Sequence, residues 1–377
     1  MAEKKKLSLE ERIAKQIEKS GEYWDERFRQ VEQARHEIAQ DFNRRVADAV
    51  AEAAEQIEKD IARWYQRLAE NNEVSIEEAH RLLKAGELKE FKWTVEEYIE
   101  AGRQSNVDGS WIKELENASA KFHITKLEAA KMEIRNSVEW LYTKELNATE
   151  EMAKQVYMDG YYRSIFEIQN GMGLAWDIAA IDRSALEKVL KMPWTADGRN
   201  FSDRIWTNKT KLVNDLSQLL TRNILLGRPP GDAIKDLVER TGRSEGEAAR
   251  LLYTEAAYFG SMSQIEAFRA LGVEKYKFVA TLDERTSEIC QSLDGTVHNV
   301  EDFEVGVNAP PMHPRCRSAI SSVSKYFADV GRRAARDPET GKTILVPRSM
   351  TYKEWKEKYL KDKGEASSLM KKVKNTK

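Results

Sequence analysis

The feature that most constrains this chain is the stretch from Glu22 to Glu70, which contains neither proline nor glycine. Its apolar residues fall at Trp24, Phe28, Val31, Ile38, Phe42, Val46, Val50, Ile57, Ile61, Trp64 and Leu68. The steps are threes, fours and sevens, which puts one apolar stripe along an α-helix. At 1.5 Å per residue such a helix runs roughly 70 Å. A helix this long without internal breakers packs against other long helices. A mainly α fold follows.

The remaining chain divides around that helix. Residues 1–21 are highly charged, end at Ser20-Gly21, and read as a flexible lead-in. Ser75 with Glu78 forms a capping box opening a short helix that ends at Gly86. Thr94 with Glu97 repeats the signal. Asp108-Gly109-Ser110 starts a second long helix through Trp111, Phe122, Ile134 and Leu141, and a third runs from Thr149 to Gln169. Residues 22–170 are therefore expected to be an all-α domain. From 171 to 325 the pattern changes. Helices are expected near 208–226, 232–241 and 244–270, the last two split at Gly242 by a Ser244–Glu247 capping box. Tyr276–Thr281 alternates like a strand, and short strands are plausible near Thr296–His298 and Ala319–Val323. The expected fold class is mainly α, with long N-terminal helices and a small α+β C-terminal unit. Residues 326–377 read as a basic tail in which Thr351 and Glu354 cap one short helix.

Composition excludes several classes. Acids and bases nearly cancel, to a net charge of −2, so the chain is neither a globally basic nucleic-acid binder nor an acidic disordered one. No apolar segment approaches the ~20 residues of a membrane span. The basic start, Lys4-Lys5-Lys6, is followed by no apolar region of a secretory signal. Two cysteines suggest a reducing compartment rather than a disulfide scaffold. No Walker phosphate loop, H-E-x-x-H pair or dinucleotide-binding glycine fingerprint occurs. Gly242-Arg-Ser244-Glu-Gly246 matches a nucleophile-elbow pattern in letters, but a helix precedes it where that motif requires a strand.

The chemically distinctive residues crowd into Thr281–Arg317. This run holds both cysteines, two of five histidines and three of eight prolines. Cys290, His298, His313 and Cys316 are candidate zinc ligands, because His313-x-x-Cys316 sets two donors on one turn. The same thiols also read as small buried hydrophobes with histidines capping turns, or as a disulfide in an exported particle. Asp283, His298 and His313 form a second candidate set, for a metal-dependent nuclease, although no spacing typical of such enzymes is present. Arg250 and Thr254 share a helix face and suggest a helix-to-loop hydrogen-bond network with Asp283 and Arg285. From Ser324 onward fifteen Lys/Arg face seven Asp/Glu. Arg332, Arg333, Arg336, Lys371, Lys372 and Lys374 are the candidates for salt-dependent contact with DNA phosphates.

The run Thr281-Leu-Asp283-x-Arg285-Thr286 … Cys290-x-x-Leu293-Asp294-Gly295 … Pro310-Pro311-x-His313-Pro314-x-Cys316-Arg317 resembles the signature of the Mu-F-type phage head-morphogenesis family. The helical first half is similar to the Gram-positive prophage branch, through Glu90–Tyr98, Glu114–Ala118 and Trp194–Gly198. The family-motif residues are Asp283, Arg285, Thr286, Asp294, Gly295, Pro311, His313, Cys316 and Arg317. The resemblance implies a minor capsid protein without enzymatic activity. Its implied partners are the phage portal protein, other capsid or scaffolding proteins and phage DNA. Its implied place is the capsid interior at the portal vertex, reached from the host cytoplasm during assembly. Some relatives carry cysteine at the positions of Ser287 and Ser318, so a four-cysteine metal site is not expected here.

Overall fold

Helix α1 (Leu9–Asn72) realises the long amphipathic pattern. It begins at Leu9 rather than Glu22 and runs through Ser20-Gly21, because one glycine costs only about 1 kcal/mol in a helix that is already propagating. Val31, Phe42, Val46, Val50, Ile57, Ile61, Trp64 and Leu68 are all buried, as the spacing predicts. The helix closes where Glu73 turns left-handed (φ 58°) and the Val74 N–H reaches the Ala69 carbonyl at 3.1 Å. This computed structural model describes residues 9–85, 126–172, 181, 183–195, 197–226, 228–323, 332–347 and 349–360. The expectations placed on Thr94, Asp108–Phe122 and the lysines near the C-terminus lie outside them.

Helix α2 (Ile76–Ala85) opens as expected, with Ser75 Oγ accepting from the Glu78 N–H at 3.2 Å. Helix α3 (Lys126–Met172) joins what the sequence suggests as two helices. Its buried residues Ile134, Val138, Leu141, Glu145, Ala148, Met152 and Val156 carry one stripe straight past Asn147. After α4 (Arg183–Lys191), α5 (Phe201–Leu225) starts at an Asn200–Asp203 capping box. Helix α6 (Pro230–Ala270) is one continuous helix, so the expected break at Gly242 is absent. Gly242 and Gly246 face open space on its outer side, while Leu237, Thr241, Ala248 and Leu252 are buried on its inner side. That burial outweighs two glycine penalties. Ser244 caps nothing; its hydroxyl donates to the Thr241 carbonyl at 2.6 Å.

The rest is a small α+β unit. Strand β1 (Lys275–Val279) is central in an antiparallel sheet of order β2-β1-β3, flanked by β2 (Val297–Asn299) and β3 (Ala319–Val323). Helix α7 (Glu288–Leu293) lies between β1 and β2 in sequence. A hairpin of β4 (Arg332–Arg336) and β5 (Thr343–Pro347) precedes α8 (Tyr352–Tyr359). The hairpin stands where the sequence predicts a basic tail. Among the described residues no helix is long and apolar enough to cross a membrane.

The chain divides into two compact units, each assembled from separated stretches: Gln40–Glu151 with Lys191–Leu252, and Met1–Ala39, Met152–Leu190 and Tyr253–Lys377. In the first, Lys209 and Glu139 form a buried ion pair at 2.9 Å, and Arg240 grips Asp215 through Nε and Nη2 at 2.9 and 2.7 Å. Burial, with Glu247 adding to it, pushes the Glu145 carboxyl up to about 8. The second unit packs Tyr161, Ile165 and Ile168 of α3 and Ile265 and Phe268 of α6 against Tyr276 of β1 and Ile320 of β3. Gly160 of α3 faces Ser263 of α6, and a Cβ at 160 would collide with the Ser263 side chain unless it shifted.

Candidate metal centre and the motif around it

The strand β1 ends into the motif, and two segments meet beside it. Ser287 caps α7, its Oγ accepting from the Cys290 N–H at 3.3 Å, and this first turn directs Cys290 inward. The second segment is the loop 310–317, which begins with a cis Pro310–Pro311 bond. A turn closes it, with the Cys316 N–H donating to the His313 carbonyl at 3.1 Å. Arg315 lies in the left-handed region (φ 58°), and its N–H donates to Thr254 Oγ1 of α6 at 2.9 Å. The helix-to-loop bond expected of Thr254 therefore exists, but with Arg315 as its partner.

These anchors bring three donors together. Cys290 Sγ lies 3.4 Å from His313 Nε2 and 3.7 Å from Cys316 Sγ, and all three ligand atoms fall within 4.8 Å of one another. Both thiols are free and buried, packed with Phe278 and Ala280, while His313 is partly exposed. His313 Nδ1 sits 3.0 Å from the Pro314 carbonyl. A carbonyl can only accept, so that contact assigns the proton to Nδ1 and leaves the Nε2 lone pair facing the sulfurs. The Cys316 thiol is held below its ordinary range, first by the hydrogen bond from Cys290 and then by backbone N–H groups. Giving that hydrogen bond, together with burial, pushes the Cys290 thiol up.

The motif's acidic residues have other tasks. Asp283 accepts from the Arg285 N–H and Thr286 Oγ1, each at 3.0 Å, and from Arg317 through both guanidinium nitrogens, Nη2 at 2.8 Å. Burial opposes its ionisation, but Arg317 and these hydrogen bonds win and hold the carboxyl below its usual range. Asp294 accepts from the Ala280 N–H (2.8 Å), the Tyr352 N–H (2.7 Å) and both terminal nitrogens of Arg333 (3.0 Å each). Gly295 (φ 82°) takes a left-handed turn that lets its N–H return to the Phe278 carbonyl at 2.9 Å.

Residues 214–321 match the family model described as Phage Mu protein F like protein. This segment of the chain is similar to that family. No curated protein and no solved structure matches it. The matched segment runs from within α5, through α6, to β3, and it contains the whole motif loop. It supports a role in phage head morphogenesis.

The structure sorts the sequence candidates. Cys290, His313 and Cys316 converge; among the described residues they are the one group of three or more His, Cys, Asp or Glu placed to hold a metal ion. His298 is not part of it: its Nε2 pairs with Thr296 Oγ1 at 2.9 Å and its ring lies against Tyr276. Asp283, His298 and His313, the alternative nuclease set, do not converge. Arg285 is largely exposed, 4.0 Å from Asp283. Among the candidates for DNA contact, Arg333 is directed inward to Asp294, to the Ala280 carbonyl and to the Met350 carbonyl at 3.1 Å. It is a latch between the domain and the hairpin. Arg336 donates to the Gly341 carbonyl at 2.7 Å across the β4–β5 turn. Arg332 lies on β4, paired with Pro347, and Lys371, Lys372 and Lys374 lie outside the described residues. Sequence reasoning missed the latch. Its only trace was the pair Arg332-Arg333 ahead of a turn-rich Asp337–Gly341 and the β-prone Thr343–Val346.

Proposed function

We propose that this protein is a minor head protein that docks at the portal vertex during procapsid assembly and assists DNA packaging or ejection without catalysing a reaction. The Mu F-like match over residues 214–321 carries this reading. A non-enzymatic role is supported by the engagement of Asp283 and Asp294 with arginines and backbone N–H groups, which leaves neither poised as a general base. Contacts with the portal and other capsid or scaffolding proteins fall to the long helices. On α3 the large apolar residues Met158, Tyr162 and Phe166 are exposed one turn apart, as a helix-docking face requires. The basic C-terminal segment supplies charge for packaged DNA, in a manner that weakens with salt. The protein would then reside inside the capsid, having joined it in the host cytoplasm.

Mass spectrometry of gradient-purified heads tests the placement. The chain should be present in procapsids and in filled heads at a few copies against the major capsid protein. Absence from both, with the protein found only in the soluble lysate, would overturn the reading.

A further inference from the structure

We infer that Cys290, Cys316 and His313 bind one zinc ion, through the two sulfurs and the imidazole Nε2, with the fourth position open to water. The inference stands apart from any role at the phage head. Its basis is distance. A tetrahedral zinc with bonds of about 2.3 Å to sulfur and about 2.0 Å to nitrogen separates two sulfurs by about 3.8 Å and a sulfur from a nitrogen by about 3.5 Å. The protein holds Cys290 and Cys316 Sγ at 3.7 Å and Cys290 Sγ and His313 Nε2 at 3.4 Å. These two match edges of a coordination tetrahedron; the third pair, Cys316 Sγ and His313 Nε2, lies within 4.8 Å and needs to come to about 3.5 Å when the ion binds. A disulfide would bring the sulfurs to about 2.05 Å, and the two cysteines are free.

The surroundings point the same way. Metal-bound histidines commonly give their second ring N–H to a carbonyl or carboxylate, which fixes the tautomer and aims the free lone pair. His313 has that arrangement through the Pro314 carbonyl, at 3.0 Å. The donors also sit on a braced frame. Ser287 holds the first turn of α7, Thr254 holds Arg315, and Asp283 holds Arg317 immediately after Cys316. Two buried sulfurs with one imidazole make a soft donor set that favours zinc over the oxygen-seeking magnesium and calcium. The partial exposure of His313 gives the ion a way in and the fourth ligand its place. Once bound, the ion would tie α7 to the 310–317 loop and reinforce a small sheet unit.

The test uses the full-length protein, purified under reducing conditions without chelator. Elemental analysis should find about one zinc per chain, as a three-ligand site predicts. Replacement by cobalt should give the thiolate-to-metal charge-transfer absorption and the intense visible bands of a tetrahedral site. Cys290→Ser and Cys316→Ser should lose that spectrum, and His298→Gln should keep it. A reduced, folded wild-type chain that takes up neither zinc nor cobalt would overturn the inference, whatever the variants do. So would a cobalt spectrum lacking the charge-transfer band, or thiols of the fresh protein that resist alkylation until a disulfide is reduced.

Discussion

Asp294→Ala is expected to destabilise the C-terminal part of this protein by about 3–5 kcal/mol, the usual result of removing one partner of a buried ion pair. The Asp294 side chain is fully buried and Arg333 is 11% exposed. Four donors converge on that carboxylate: two backbone N–H groups and two guanidinium nitrogens. Its removal leaves a guanidinium without its counter-charge and two N–H groups without acceptors. The lost bonds are the ones that fasten α8 and the β4–β5 hairpin to the domain. Remaining attachments include the Arg333 guanidinium to the Ala280 carbonyl, the Arg336 N–H to the Leu282 carbonyl (2.8 Å), the Tyr352 hydroxyl to the Asp283 carbonyl (3.0 Å), and the cluster of Leu282, Ala335, Val346, Tyr352 and Trp355. Limited proteolysis should release a C-terminal fragment from the variant well before the wild type is cut. The melting temperature should fall by on the order of 10 °C for a unit of this size. Arg333→Met should do less harm, since Asp294 then keeps both backbone donors and the new side chain stays apolar. A loss below about 1 kcal/mol for Asp294→Ala would show that the apolar cluster alone holds the hairpin.

Glu139→Ala should be nearly as damaging in the other compact unit. Glu139 and Lys209 are 1% and 8% exposed, and both carboxylate oxygens lie within 3.0 Å of the ammonium. The lysine also stands over the Trp206 ring at 4.3 Å, which steadies the cation but does not neutralise it. An uncompensated ammonium at this depth predicts a loss of about 3 kcal/mol, toward the lower end for buried pairs. The lower end is expected because a cavity bounded by Arg135, Trp206 and Asn214 opens beside the pair and admits water to the stranded charge. The double variant Glu139→Leu with Lys209→Met should recover most of the stability, because two apolar side chains replace two desolvated charges. Chemical denaturation of the wild type and the two variants decides this. A double variant no better than the single one would mean that the site depends on its polarity rather than on charge balance.

Much of the fold was legible because long helices write themselves as spacing. The residues from Val31 to Leu68 needed only their intervals to be placed on one buried face. The strands β1, β2 and β3 likewise followed from alternation and β-branched content. Where the reading failed, local signals met tertiary burial and lost. Gly242, Ser244 and Gly246 form a convincing helix boundary in sequence, and the step from Leu141 to Thr149 reads as another, yet buried neighbours carry α6 and α3 through both. The β4–β5 hairpin was hidden by arginines: a strand reading Arg-Arg-Ala-Ala-Arg shows charge before it shows alternation. In the candidate site, residue types picked out four candidate ligands, of which three converge, but no spacing rule separates His313 from His298. Only the fold shows that one faces the sulfurs and the other faces Thr296. The roles of Asp283 and Asp294 were illegible for the same reason, since their partners stand 34 and 39 residues away.

The portal-docking claim is tested most directly by capture of the cognate portal protein on the full-length chain. Truncation would mislead, because residues 1–150 contribute α1 to both compact units and half of α3 to one of them. The intact protein is the proper reagent, with Tyr162→Asp and Phe166→Asp as variants altered only on the exposed face of α3. The account predicts that the wild-type chain retains the portal protein through washing at physiological salt and that the α3 variants retain it less. A folded, full-length chain that retains no portal protein, while assembled heads still contain it, would contradict docking at that vertex.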